Sequence, residues 1–160
     1  MNDAERWFRV IFPIDFKTVA KMQEQGFVYI TKRDRDHRPT LVLECAKCFD
    51  CLTELNEKEV HDCIVYAANY LIDNLLMPGK VESFNGIVDL RGISAFNTPL
   101  AFIQSFALSL VKAYPTRVSN VFLIGLDIVM RTTYNIVYYL MPETSRNTVI
   151  IVGPSIKEAL

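Results

Sequence analysis

An α/β fold built on a largely parallel β-sheet is the architecture this sequence predicts, and three observations predict it. Short β-rich runs alternate with amphipathic segments long enough to be helical crossovers between parallel strands. "VSNVFLIGL", residues 118–126, is a continuous apolar run of the kind buried on both sides in such sheets. The 160 residues, 51% hydrophobic and 22% charged, suffice for one domain with a full core. No repeat, low-complexity tract or linker divides them, so residues 1–160 read as a single domain.

The elements follow in order. Segment 1–25 opens "MNDAERWFRVIF", which lacks the basic start and long apolar run of a secretory signal. No stretch reaches the ~20 apolar residues that span a bilayer, and the expected location is cytoplasmic. Phe27 to Ile30 and Thr40 to Glu44 are β-rich runs joined by a charged connection, a hairpin or neighbouring strands antiparallel to the rest. From Thr53 the period changes. Leu55, Val60, Ile64, Ala67, Leu71 and Leu75 recur at helical spacing; Thr53, Asn56 and Glu57 suit the first turn, and Pro78-Gly79 ends the helix. Ile87 to Leu90 reads as a short buried strand and "RGISAFNTP" as loop. Asn97 or Thr98 caps a helix that Pro99 opens and that runs to about Ala113. After the apolar run, a helix is expected over Val129 to Leu140 and a last strand over Val149 to Val152. "SIKEAL" reads as the opening turn of another helix.

Charge and chemistry exclude several functions. A net charge of −1 provides no global field for nucleic acid or an anionic membrane. The densest basic cluster, Lys32, Arg33, Arg35, His37 and Arg38, is interrupted by Asp34 and Asp36 and reads as a solvated turn. "ECAKCFDC" sets Cys45, Cys48 and Cys51 at two-residue gaps, yet the fourth cysteine, Cys63, is twelve residues on, too far for a ferredoxin run. For zinc these thiols with His61 or Cys63 are chemically adequate, but His61 and Cys63 lie two apart on a helix and face different ways. The reading is no metal and no cofactor: in a cytosolic chain these are reduced thiols, Cys45 at a strand's end and Cys48 and Cys51 in a loop. There is no G-x-S-x-G elbow, Walker loop or G-x-G-x-x-G loop, and the two histidines read as an exposed turn residue, His37, and a helix residue, His61, which leaves a triad with too few parts. Asp89, at a strand's C-terminal end, is the position an open α/β enzyme would use; its neighbours "RGIS" favour a structural role.

Residues 114–153, "YPTRVSNVFLIGLDIVMRTTYNIVYYLMPETSRNTVIIVG", resemble the signature half of the CRAL-TRIO lipid-binding domain. The family pattern is Tyr-Pro-Glu-Arg, an apolar strand, an amphipathic helix, Pro-x-Thr and a strand ending in Gly; Tyr114, Pro115, Arg117, Pro142, Thr144 and Gly153 supply it in order. "DRDHRPTLVL" is similar to the family's Asp-x-x-Gly-Arg-Pro-Val, with His37 in the glycine's place. "GIVDLRGIS" is similar to its Val-x-Asp-x-x-Gly-Leu-Ser, and the likeness is collinear from about Gly26 to Leu160.

That resemblance implies a sheet floor roofed by helices, an apolar cavity between them, and a mobile gate over residues 129–141. It implies a non-enzymatic carrier that binds a hydrophobic ligand, expected to be a phospholipid, and transfers it during transient contact with a membrane surface. Met130, Tyr134, Val137, Tyr138 and Met141 form one continuous helix face, and with Val121 and Leu123 of the floor they are the expected lipid-binding residues. Thr116 stands where the family has Glu, and Arg146 and Asn147 stand near its Lys. Recognition of an inositol phosphate by charge is therefore not expected, although Arg146 is placed to shift into that role. The family's helical N-terminal lobe is reduced to segment 1–25 and its Leu-Pro-x-x-x-Gly-Gly segment has no counterpart, so a protein partner or a dimer is expected to close the cavity. The rival reading is an interaction scaffold of this fold with a shut or vestigial pocket.

Overall fold

The chain turns back on itself at Asp34–Arg38. The computed structural model describes residues 24–52, 56–93, 113, 114, 116–126, 131, 134, 135, 138, 139 and 143–153. Within it, strands β1 (Val28–Arg33) and β2 (Pro39–Glu44) pair antiparallel, with Val28 opposite Leu43. Asp34 organises the turn between them. Its Oδ1 accepts the backbone N–H groups of Asp36 (2.9 Å) and Arg38 (2.8 Å), and its own N–H donates to the Arg38 carbonyl at 2.9 Å. His37 completes the reversal at φ +63°, a left-handed conformation that costs any residue with a Cβ. Pro39 begins β2, the strand position that tolerates a missing N–H.

Strands β3 (Phe84–Asp89), β4 (Val118–Ile124) and β5 (Val149–Val152) follow β2 in parallel, so the five strands lie in sequence order with only β1 reversed. The expected α/β fold with a largely parallel sheet is thus observed. β3 starts at Phe84, three residues earlier than its apolar run, because the Phe84 N–H reaches the Arg117 carbonyl at 2.8 Å. Register places Leu43, Val88, Leu123 and Ile151 side by side on one face. On the other face, Thr40, Asn85 and Asn120 form a polar row.

Between β2 and β3 run helices α1 (Cys45–Cys51) and α2 (Glu57–Leu75), and a single turn, α3 (Glu143–Arg146), precedes β5. The 19-residue α2 is capped by Asn56 and not by Thr53, which lies outside the described residues. Asn56 wins because it closes a reciprocal capping box: its side chain accepts the Glu59 N–H at 2.9 Å, and Glu59 accepts the Asn56 N–H at 3.1 Å. The loop expected at Cys48 and Cys51 is corrected as well. These residues are helical, and Cys45, Cys48 and Cys51, three apart, put one stripe of α1 into the core.

The core lies under α2, where Val60, Ile64, Val65 and Leu71 are buried against Phe27, Leu43 and the four thiols. α2 packs on β1 and β2, and α1 on β2 and β3. Burial therefore declines across the sheet. Strand β2 is buried almost throughout, whereas β4 is half-buried along its whole length, and not enclosed on both sides as its sequence suggests. In β5, Ile150 and Ile151 are 40% and 39% exposed. The helix expected from Pro99 lies outside the described residues except for the helical Ala113, and segment 1–23 and "SIKEAL" lie outside them entirely. No helix among the described residues is long and apolar enough to cross a membrane.

Candidate functional site

Two apolar surfaces and one charged rim contain the residues that the sequence singles out. The first surface is the face of the sheet that carries Val121 and Leu123. Register sets both on the same face as Val28, Leu41 and Leu43, the face that α2 covers at the other edge. Leu123 packs against the margin of the core, and Val121 is half-buried. Next to Val121 stands Gly86, where a Cβ would meet the valine methyls at 3.7 and 3.9 Å, an ordinary contact. Glycine here leaves that part of the sheet face without a side chain.

The second surface belongs to the segment expected to be a helix over 129–140. Positions 131, 134, 135, 138 and 139 are helical; Met130, Val137 and Met141 lie outside the described residues. Tyr134 and Tyr138, one turn apart, are half-buried with ring centroids 5.8 Å apart. Burial, and then the neighbouring Tyr138, push the Tyr134 hydroxyl above its usual pKa. Arg131, Asn135 and Tyr139, also spaced by four, are exposed, Tyr139 at 75%. The helix therefore has an outward stripe through 131, 135 and 139 and an inward one through 134 and 138.

The rim lies at the C-terminal ends of the parallel strands, where Glu44 of β2 is in register with Asp89 of β3. Lys47 bonds Glu44 at 2.7 Å and holds its carboxyl below the usual range. Asp89 accepts Arg91 Nε at 2.9 and 3.1 Å and the Arg91 backbone N–H at 3.0 Å. Arg91 thus lowers the Asp89 pKa, and a carboxylate kept ionised by such a pair is poorly suited to exchange protons as an acid–base group. Gly125 explains how Arg91 reaches this place: at φ +78°, any Cβ it bore would lie 3.0 Å from the Arg91 backbone nitrogen.

Three of the family-like motif residues, Tyr114, Arg117 and Asp34, act as structural supports. Tyr114 is buried, donates its hydroxyl to Asn69 Oδ1 on α2 at 2.9 Å, and meets Phe84 edge-on at 6.5 Å. Arg117 donates to the Glu82 carbonyl at 3.2 Å. Asp34 accepts Asn85 Nδ2 at 2.8 Å, and Asn85 accepts Asn120 Nδ2 at 3.4 Å, which links turn, β3 and β4. Asn69 and Asn85 were not marked by sequence reasoning. Asn85 carries the only usable signal, a polar residue next to a glycine at the start of a strand. Among the described residues no group of three His, Cys, Asp or Glu is placed to hold a metal.

A sequence model of the CRAL/TRIO domain matches residues 23–160. No curated protein sequence gives a significant match. Among solved structures, the one titled "Crystal structure of Sfh5" superposes with a TM-score of 0.75 at 15% sequence identity, covering 93% of this chain and 55% of that one. The chain therefore spans about half the length of that protein, and the likeness is one of fold.

Proposed function

The chain belongs to the CRAL/TRIO domain family, a family of lipid-binding proteins, and from that premise we propose that it holds one phospholipid between its sheet and the helix over residues 129–141. That helix is the gate, and it opens during transient contact of the cytoplasmic protein with a membrane surface. The residues proposed to touch the acyl chains are Val121 and Leu123 of the floor and Met130, Tyr134, Val137, Tyr138 and Met141 of the gate. Residues 1–160 act as one domain, and no step of the transfer is catalytic.

One observation carries this reading: the sheet's apolar surface is only partly used by the chain's own packing. Burial falls from the enclosed β2 to the half-buried β4 and to β5, whose Ile151, in register with Leu123, stays 39% exposed. The paired rings of Tyr134 and Tyr138 supply rigid apolar surface of the type that suits an acyl chain. The energetic demand is large. Each CH₂ removed from water is worth about 0.8 kcal/mol, so an acyl chain of about 16 carbons represents on the order of 13 kcal/mol that a carrier must offset by burial. Solvation alone supplies this, without nucleophile, metal or cofactor.

The test is direct. Purified protein is extracted with organic solvent and the extract analysed by mass spectrometry, and uptake of fluorescent phosphatidylcholine from vesicles is followed in parallel. About one phospholipid per chain, exchangeable with vesicles, is expected. Protein that is folded, empty and unable to take up lipid would favour the scaffold reading and end this one.

A further inference from the structure

Arg146, which the family pattern sets near a headgroup, makes its contacts elsewhere. Its Nε donates to the Tyr138 carbonyl at 3.0 Å and its Nη2 donates to the Tyr139 carbonyl at 3.0 Å. Its Cζ lies 5.4 Å from the centroid of the Tyr138 ring. One side chain therefore grips the far end of the helical segment by two successive carbonyls and an aromatic face.

The sequence explains why a cation is needed there. In a helix the Tyr138 carbonyl would accept the N–H of residue 142, and residue 142 is a proline, which has none. A guanidinium suits the place better than an ammonium, because its planar fork reaches two carbonyls together and also stacks on a ring. Arg146 itself sits in α3, two residues before Thr148, whose carbonyl accepts the Val121 N–H of β4 at 2.8 Å and ties this part of the chain to the sheet.

We infer that Arg146 is the latch of the gate: a single guanidinium that ties the gate's C-terminal end to the sheet and sets how often the gate opens. The inference rests on the reading of residues 129–141 as a gate, and it makes Arg146 a positioning residue of that gate and not a headgroup ligand.

Hydrogen exchange and lipid transfer together test it, on the full chain. In Arg146→Ala, amides of residues 131–139 are expected to exchange about tenfold faster, the loss that follows from two charge-assisted hydrogen bonds and a ring contact. Amides of α2 and β2 should be unchanged. Transfer of fluorescent phosphatidylcholine between neutral vesicles should accelerate by a similar factor. Arg146→Lys keeps the charge without the fork and is expected to fall between the two; it also serves if the alanine variant fails to fold. Unchanged exchange at 131–139 in a folded variant overturns the latch, as does faster exchange without faster transfer in a protein that transfers lipid. Native protein that transfers none overturns the carrier reading instead, while the exchange result still judges the latch.

Discussion

His37 holds the first turn in a conformation that suits glycine, the residue the family pattern has at this place. Its φ of +63° is accepted because the surrounding bonds over-determine it: the His37 N–H donates to the Asp34 carbonyl at 3.1 Å, and Arg33 Nη1 donates to the His37 carbonyl at 2.7 Å. A left-handed residue with a Cβ costs about 1–2 kcal/mol, and glycine returns part of that through the freedom it gains when unfolded. His37→Gly is therefore expected to stabilise the protein by about 0.5–1 kcal/mol, read as a higher urea midpoint at unchanged slope. A lower midpoint would mean that the imidazole supports the turn. Asp34 illustrates the opposite economy. Burial raises its pKa, but hydrogen bonds from Arg38, Asn85 and Asp36 outweigh that and leave it below the usual value.

At the scale of elements, α2 shows how a local choice is made. Both Thr53 and Asn56 are acceptable caps by type, but Asn56 alone has Glu59 three residues on to return the hydrogen bond. Asn56→Ala should cost about 1 kcal/mol in chemical denaturation, while Asn56→Ser should cost far less. A loss below ~0.3 kcal/mol for alanine would place the true cap elsewhere. The gate makes a different prediction. Tyr134 lies on the inward stripe, so Tyr134→Asp sets a charge where the proposed acyl chain runs. Lipid uptake should be lost while the far-UV spectrum stays nearly native. Unfolding of the variant would mean that this stripe is ordinary core.

For the molecule as a whole, the thiols link stability to pH. Cys45, Cys48, Cys51 and Cys63 are buried thiols outside any disulfide, and burial first, then neighbouring thiols, raise the pKa of three of them: Cys45 strongly, Cys48 to about 12 and Cys63 to about 11, from an ordinary 9.0. The folded chain keeps protons that the unfolded chain releases above pH 9. Stability from these groups is therefore intact below pH 9 and is withdrawn as pH rises from 9 towards 11 and 12. Per unit of pH above 9, a thiol such as Cys48 withdraws up to about 1.4 kcal/mol. Urea midpoints should fall steeply between pH 9 and 10.5, and a Cys48→Ala, Cys63→Ala double variant should show a shallower fall. Equal slopes would mean that the thiols ionise as readily folded as unfolded. Neither thiol is poised as a nucleophile at neutral pH.

Much of the architecture was legible in the residues because its signals are local. Apolar runs marked β4 and β5, helical periodicity marked α2, and alternation of the two called for parallel strands joined by crossovers; all of this the sequence by itself determined. The two tyrosines of the inward stripe were legible for the same reason, since spacing on a helix is a property of the chain. Tertiary structure alone decided the rest. Seven residues from Cys45 to Cys51 could be loop or helix until α1 had a core to face, and burial of three thiols chose helix. The apolar β4 could be fully enclosed or half-covered until the position of α1 and α2 was known. Arg146 bonds the carbonyls of Tyr138 and Tyr139, eight and seven residues back, a pairing that no local pattern of residue types announces. Periodicity is carried along the chain, but contact between distant segments depends on how the elements settle against one another, and that depends on all of them at once.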